Sequence, residues 1–151
     1  MKRASIAILC ASFLLLLCGC AFIWQGIIGK GYYQLTQASI QNKSASMSGA
    51  PIDLTALTTS SVIVYKTSAN GLYGKLSLLT APPTANLTIM FETYALDGTS
   101  KTSSQSVTIT PNEGFDLEAG TQQSPSISDF QFTASPPTLN PKNSALFYLV
   151  P

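Results

Sequence analysis

From Ser61 onward, apolar and polar positions alternate in short runs separated by turn residues, the pattern of strands that bury one face. Ser61-Val62-Ile63-Val64-Tyr65-Lys66 is β-branched and aromatic, a composition that packs well on a pleated surface. Leu72-Tyr73-Gly74-Lys75-Leu76-Ser77-Leu78 follows, with Leu72, Leu76 and Leu78 on one face. Asn70-Gly71 between them supplies the positive φ of a tight turn, so the two runs are expected to form a hairpin. Ala81-Pro82-Pro83-Thr84 interrupts pairing, because proline has no N–H to donate. The longest run, Leu87 to Leu96, points Leu87, Ile89 and Phe91 inward and Glu92 outward, and ends at Asp97-Gly98. Gln105 to Thr110 turns Val107 and Ile109 inward. The turn Pro111-Asn112-Glu113-Gly114 leads into Phe115-Asp116-Leu117-Glu118. Phe130 with Phe132, then Ala145 to Val150, supply two more strands.

Seven short strands at roughly 8–12-residue spacing predict an all-β fold, a small antiparallel β-sandwich of immunoglobulin-like architecture. The immunoglobulin likeness is one of architecture alone, since the Cys…Trp…Cys framework is missing. Leu35 to Ile40 fits a strand or a short helix equally well. Asn42 to Ala50 is small and polar and reads as a linker or long loop, as do Gln122 to Ser128 and Ser135 to Pro141. No internal repeat is visible.

The first 29 residues are of a different kind. Lys2-Arg3 precedes an apolar stretch from Ala4 to Leu17, the charged and apolar regions of an export signal. Leu17-Cys18-Gly19-Cys20 then resembles the lipobox of bacterial lipoproteins, with an aliphatic residue three positions before the cysteine and small residues between. The resemblance covers only the first twenty residues. It implies that residues 1–19 are a signal peptide and that the Cys20 thiol, the lipidation site, carries the diacylglycerol and palmitate-type acyl chains. Residues 20–50 are then a lipidated N-terminus and tether, with room for a first strand, and residues 51–151 the sandwich. By resemblance to the sorting pattern of Gram-negative lipoproteins, Ala21 after the cysteine implies an outer-membrane address.

An uncleaved anchor fits the same residues. Ala4 to Gly29 as one helix would measure about 39 Å, enough to cross a hydrocarbon core of about 30 Å. Ala21-Phe22-Ile23-Trp24-Gln25-Gly26-Ile27-Ile28 is apolar enough to belong to it, and Trp24 suits a membrane interface. That alternative is a single-pass inner-membrane anchor. Either way the cations stay in the cytoplasm and the body lies outside it, tied to a membrane.

Charged residues make up 10% of the chain, eight basic and seven acidic, and histidine is absent. No basic surface is available for nucleic acid, and triads or metal sites that need histidine are excluded. The three cysteines all lie in the N-terminal segment, so acylation of Cys20 leaves the cleaved chain without a thiol for a disulfide or metal. Glu113, Asp116 and Glu118 form the one acidic cluster. The pattern of a calcium loop is missing, and Asp116 and Glu118 are expected on a solvated strand face with Phe115 and Leu117 buried opposite. Asp53, Glu92, Asp97 and Asp129 show no spacing that picks out a glycosidase pair, and Ser100-Lys101 lacks the Ser-x-x-Lys pattern. Tyr32, Tyr33, Tyr65, Tyr73 and Tyr94 suggest either an aromatic stripe for a partner or a half-buried sheet surface. The triplets Asn42-Lys43-Ser44 and Asn86-Leu87-Thr88 match the glycosylation acceptor, a coincidence in a chain with 19 serines and 16 threonines.

The expectation is a non-enzymatic chain with no catalytic, cofactor or metal residues. It would be a membrane-anchored exported lipoprotein acting as a structural or accessory binding component of the cell envelope. Its partners would be the membrane, through the lipid on Cys20, and another envelope protein or surface assembly. The alternatives are a solute- or glycan-binding lipoprotein and an envelope hydrolase.

Overall fold

A computed structural model describes residues 30–80 and 85–151. The expected signal peptide, Cys20 and the expected break at Ala81 to Thr84 lie outside the described residues.

Among the described residues, ten strands make two antiparallel sheets. The first has the order β10 (Leu146–Val150), β2 (Val62–Lys66), β3 (Tyr73–Leu78), β4 (Leu87–Tyr94), β5 (Ser100–Ile109). The second has the order β1 (Ile52–Asp53), β9 (Pro137–Pro141), β8 (Phe130–Ala134), β6 (Gly114–Asp116), β7 (Thr121–Gln123). The β-sandwich is therefore as expected, and its strand order, which the sequence left open, is a meander from β2 to β5 with β10 returning beside β2.

The β2–β3 hairpin forms as the turn chemistry requires. Val62 pairs with Ser77 and Lys66 with Tyr73, Gly71 takes φ 65°, and the Thr67 N–H closes the loop onto the Leu72 carbonyl. The core lies between the sheets. Ile63, Tyr65, Leu76, Leu78, Leu87, Ile89, Phe91 and Ile109 face Phe115, Phe130, Phe132 and Leu139 across it. Phe91 meets Phe115 edge to face at 5.4 Å. Gly74 lies opposite Tyr65, and a Cβ there would overlap the tyrosine ring. The gap lets the Tyr65 hydroxyl reach Thr93 Oγ1 at 2.8 Å, and Thr93 donates in turn to the Leu117 carbonyl, which joins the two sheets.

The first sheet is covered on its outer face as well. Two short helices, α1 (Lys30–Gln34) and α2 (Gln37–Gln41), and a 3-10 turn at Ser44–Ser46 lie across it. Thr36 caps α2 through a reciprocal pair of bonds with Ser39, which decides the helix over the strand for Leu35 to Ile40. Tyr32 packs with Val62 and Met90, and Ile40 and Met47 pack with Val64 and Tyr94. Ser48 bridges to Phe147. Segment 30–50 is thus part of the folded body where a tether was expected. The same cover explains why Val62 to Tyr65 does not alternate: all four are buried, on both faces.

Three strands, β1, β7 and β9, and the first half of β5 escaped the sequence pattern. β9 spans a stretch read as a loop, but Pro137 and Pro141 occupy its ends and Leu139 between them is buried, so proline costs little pairing there. β7 and the first half of β5 are polar edge strands. β5 starts at Ser100, five residues before the alternation at Gln105 begins, and bulges opposite Met90 and again near Tyr94.

The sandwich has two distinct ends. Val62, Leu78, Leu87, Ile109 and Val150 mark one, and α1 begins there, with Gly31 close to Val62. Lys66, Tyr73, Tyr94, Ser100 and Leu146 mark the other.

Candidate functional site

At that second end two carboxylates hold the β2–β3 loop. Glu118 accepts hydrogen bonds from Thr67 Oγ1 (2.5 Å), the Asn70 N–H (3.1 Å), Asn70 Nδ2 (2.6 Å) and Lys101 Nζ (2.8 Å). Its side chain is 9% exposed, so the solvated strand face expected for it is incorrect. The cause is local. The strand stops at Asp116, whose Oδ1 accepts from the Glu118 and Ala119 N–H groups, a turn that swings Glu118 toward the neighbouring loop. Burial pushes the Glu118 carboxyl up, but the bonds from Lys101, Thr67 and Asn70 outweigh it and hold the pKa down at about 2.

Asp129 is buried and grips the same loop from the other side. Its Oδ1 accepts from the Ser68 N–H (2.6 Å) and Ser68 Oγ (2.8 Å), and its Oδ2 from the Leu117 N–H (2.8 Å). Burial raises its pKa above the usual carboxylate range despite those donors. Glu113 is exposed in the loop leading into β6 and takes no part. Among the described residues no group of three or more His, Cys, Asp or Glu gathers as a metal site would require. Phe115 and Leu117 are fully buried, as their alternation implied.

Asp53 and Asp97 are each committed to their own turns. Asp53 accepts from Thr55 Oγ1 (2.5 Å) and its N–H (2.9 Å), and Asp97 from Thr99 Oγ1 (2.6 Å) and its N–H (2.9 Å). These bonds lower both carboxyl pKa values, the side-chain hydroxyl contributing most. Lys101, from the Ser100-Lys101 pair, is occupied by Glu118.

A second charged group sits beneath the helices, and the sequence reading missed it. Lys75 on β3 and Glu92 on β4 are register partners and form an ion pair at 3.3 Å with the lysine side chain only 5% exposed. Lys75 Nζ also donates to the Leu35 carbonyl at 2.8 Å. It lies 4.7 Å from the Tyr32 ring centroid and 5.5 Å from that of Tyr94. Tyr94 donates to Glu92 at 2.9 Å. Burial lowers the Lys75 pKa, with Glu92 opposing, and burial raises those of Tyr32 and Tyr94. This cage ties the connector between α1 and α2 to the sheet.

The tyrosines do not make one stripe. Tyr65 is in the inner core, Tyr32 and Tyr94 are buried under the helices, and Tyr33 is exposed. Tyr65 and Tyr73, adjacent to Gly74 and Lys66 in the register, face opposite sides of the sheet. What remains on the surface is the outer edge of β5, largely exposed serine, threonine and glutamine. There is also a groove of about 510 Å³ beside α1, lined by Gly31, Gln34, Leu35, Lys43, Ser60, Ser61, Val62, Val150 and Pro151. A second hollow of about 530 Å³ lies at the opposite end beside Leu72 and Leu96, where Leu96 is 83% exposed.

Compared with known proteins, the chain matches no family model, no curated protein and no solved structure.

Proposed function

We propose that this chain is an exported, membrane-anchored lipoprotein that serves as a structural or accessory binding component of a cell envelope. The observation that carries the reading is Leu17-Cys18-Gly19-Cys20 at the end of an apolar stretch that follows Lys2-Arg3. The body supports a binding role in two ways. Glu118, Asp129, Asp53, Asp97 and the Lys75–Glu92 pair are each engaged in holding loops or helices. β5 offers a ten-residue outer edge whose unpaired main-chain groups suit strand addition by another β-protein.

Cys20→Ser is the direct test. Mass spectrometry of the wild-type protein from its native envelope should find the chain beginning at an acylated Cys20, and the variant should accumulate with Met1 in place. An unmodified Cys20 in a chain that retains Met1 would replace the lipid with an uncleaved helical anchor.

A further inference from the structure

We propose that the end of the sandwich formed by α1, Ser60–Val62 and Val150–Pro151 rests against the lipid surface, so that the opposite end points away from the membrane. The inference deepens the anchored reading and depends on it. Its starting point is where the chain enters the folded body. Gly31 lines the groove with Ser60, Val62, Val150 and Pro151, and α1 begins one residue earlier, at Lys30. The fold therefore starts at the Val62–Val150 end.

The chain available to separate that end from the membrane is short. Nine residues, Ala21 to Gly29, lie between Cys20 and Lys30, and Gln25 is the one polar side chain among them. Fully extended they would reach about 30 Å, roughly the length of the ten-residue strand β5 at about 3.3 Å per residue. Extension through water would expose Phe22, Ile23, Trp24, Ile27 and Ile28, which is unfavourable for apolar surface. Held at or in the bilayer, those residues leave Lys30 at the headgroups. An uncleaved helix ending at Gly29 gives the same placement, because the body then starts one residue after the helix.

The surface at that end suits a headgroup layer. Tyr33, on α1, is 40% exposed, an amphipathic ring of the kind found at membrane interfaces. Ser60 and Gln34 are exposed and uncharged. Lys43 contributes a cation to the groove, which anionic lipid attracts. Among the described residues no acidic side chain lines the groove; Asp53 and Glu113 are exposed on β1 and in the loop before β6.

The test uses the full chain with Cys10 and Cys18 changed to Ser, Cys20 kept, and one reporter cysteine added. Pro151→Cys reports on the end beside α1 and Ala69→Cys on the β2–β3 loop at the other end. Both sites are exposed. Each is labelled with a fluorophore and incorporated into phosphatidylethanolamine–phosphatidylglycerol vesicles containing a headgroup nitroxide quencher. A parent without the added cysteine gives the background. The label at 151 should lose most of its emission and the label at 69 almost none. Equal quenching, stronger quenching at 69, or none at either site in protein that floats with the vesicles would overturn the orientation while leaving the anchor intact. Protein that does not float with vesicles would overturn the anchored reading and the orientation with it.

Discussion

Replacing Glu118 tests whether a carboxylate outside any regular strand holds the β2–β3 loop in place. Glu118→Ala removes the acceptor for the buried Thr67 hydroxyl, for both Asn70 donors and for Lys101. A hydrogen bond to a charged acceptor contributes about 1.5–3 kcal/mol, but such terms do not add, and Asn70 is exposed enough to recover water. Lys101 is 38% exposed, so its ion pair contributes under about 1 kcal/mol. The expected loss for Glu118→Ala is about 2–4 kcal/mol, and for Glu118→Gln, which keeps one acceptor oxygen, about 1–2 kcal/mol. A solvated strand residue would cost less than about 0.5 kcal/mol.

Equilibrium denaturant unfolding at several pH values measures both the size and the sign. The carboxyl titrates near its ordinary 4.5 in the unfolded chain and at about 2 in the fold. Its stabilising contribution is complete above the unfolded value and is lost as pH falls through the folded one. At 1.36 kcal/mol per pKa unit the separation corresponds to at most about 3 kcal/mol, and solvent screening at the exposed partners Lys101 and Asn70 reduces this to about 1–2 kcal/mol. The gap between wild type and Glu118→Gln should therefore narrow between about pH 5 and pH 2. Asp129 has the opposite shift, but it is common to both proteins and cancels in the difference. A cost within about 0.5 kcal/mol that does not change with pH, or an equal cost for Lys101→Ala, would refute the clamp.

Phe91→Ala should lose about 3–5 kcal/mol in the same unfolding measurement, because it empties the centre of the core facing Phe115. Lys75→Ala should cost about 3–5 kcal/mol by stranding Glu92 beneath the helices, whereas Lys75→Met with Glu92→Leu should be close to neutral; equal losses from the two would show that the charges matter beyond their mutual pairing. Gly74→Ala should destabilise by about 1–3 kcal/mol through overlap with the Tyr65 ring, and adding Tyr65→Phe should not restore it, since the ring itself stands in the way.

The inner face of the first sheet was legible in the sequence because it obeys a period of two. Leu76, Leu78, Leu87, Ile89 and Phe91 fall on the core side as that period requires, and Asn70-Gly71 makes the turn that it advertises. The outer face was not legible. Its cover comes from Lys30 to Ser48, a polar segment whose helices are five residues each, too short for an apolar stripe to repeat. With the cover unseen, Glu92 looked like a solvent residue and its pairing with Lys75 had no reason to be sought. The register Lys75↔Glu92 was nonetheless implicit in the hairpins, and opposite charges on adjacent strands are a signal that could have raised the question. Glu118 was misplaced for a different reason: alternation was continued through a turn that Asp116 makes with its own side chain. Such a turn depends on one rotamer, and a pattern of apolar positions does not record it.

The return of β10 to the side of β2 has a consequence for when the fold can form. Leu146 pairs with Lys66 and Val150 with Val62, partners at least eighty positions apart, so β2 keeps an open edge until residues 146–150 are available. Pairings this distant are slow to nucleate, because the loop they close must lose its freedom before any contact compensates. A chain threaded through a membrane from its N-terminus would bring β2 to β5 across first and hold them without β10. For a chain exported in that way, closure of the sandwich would be a late event, completed on the side where the whole of β10 has arrived.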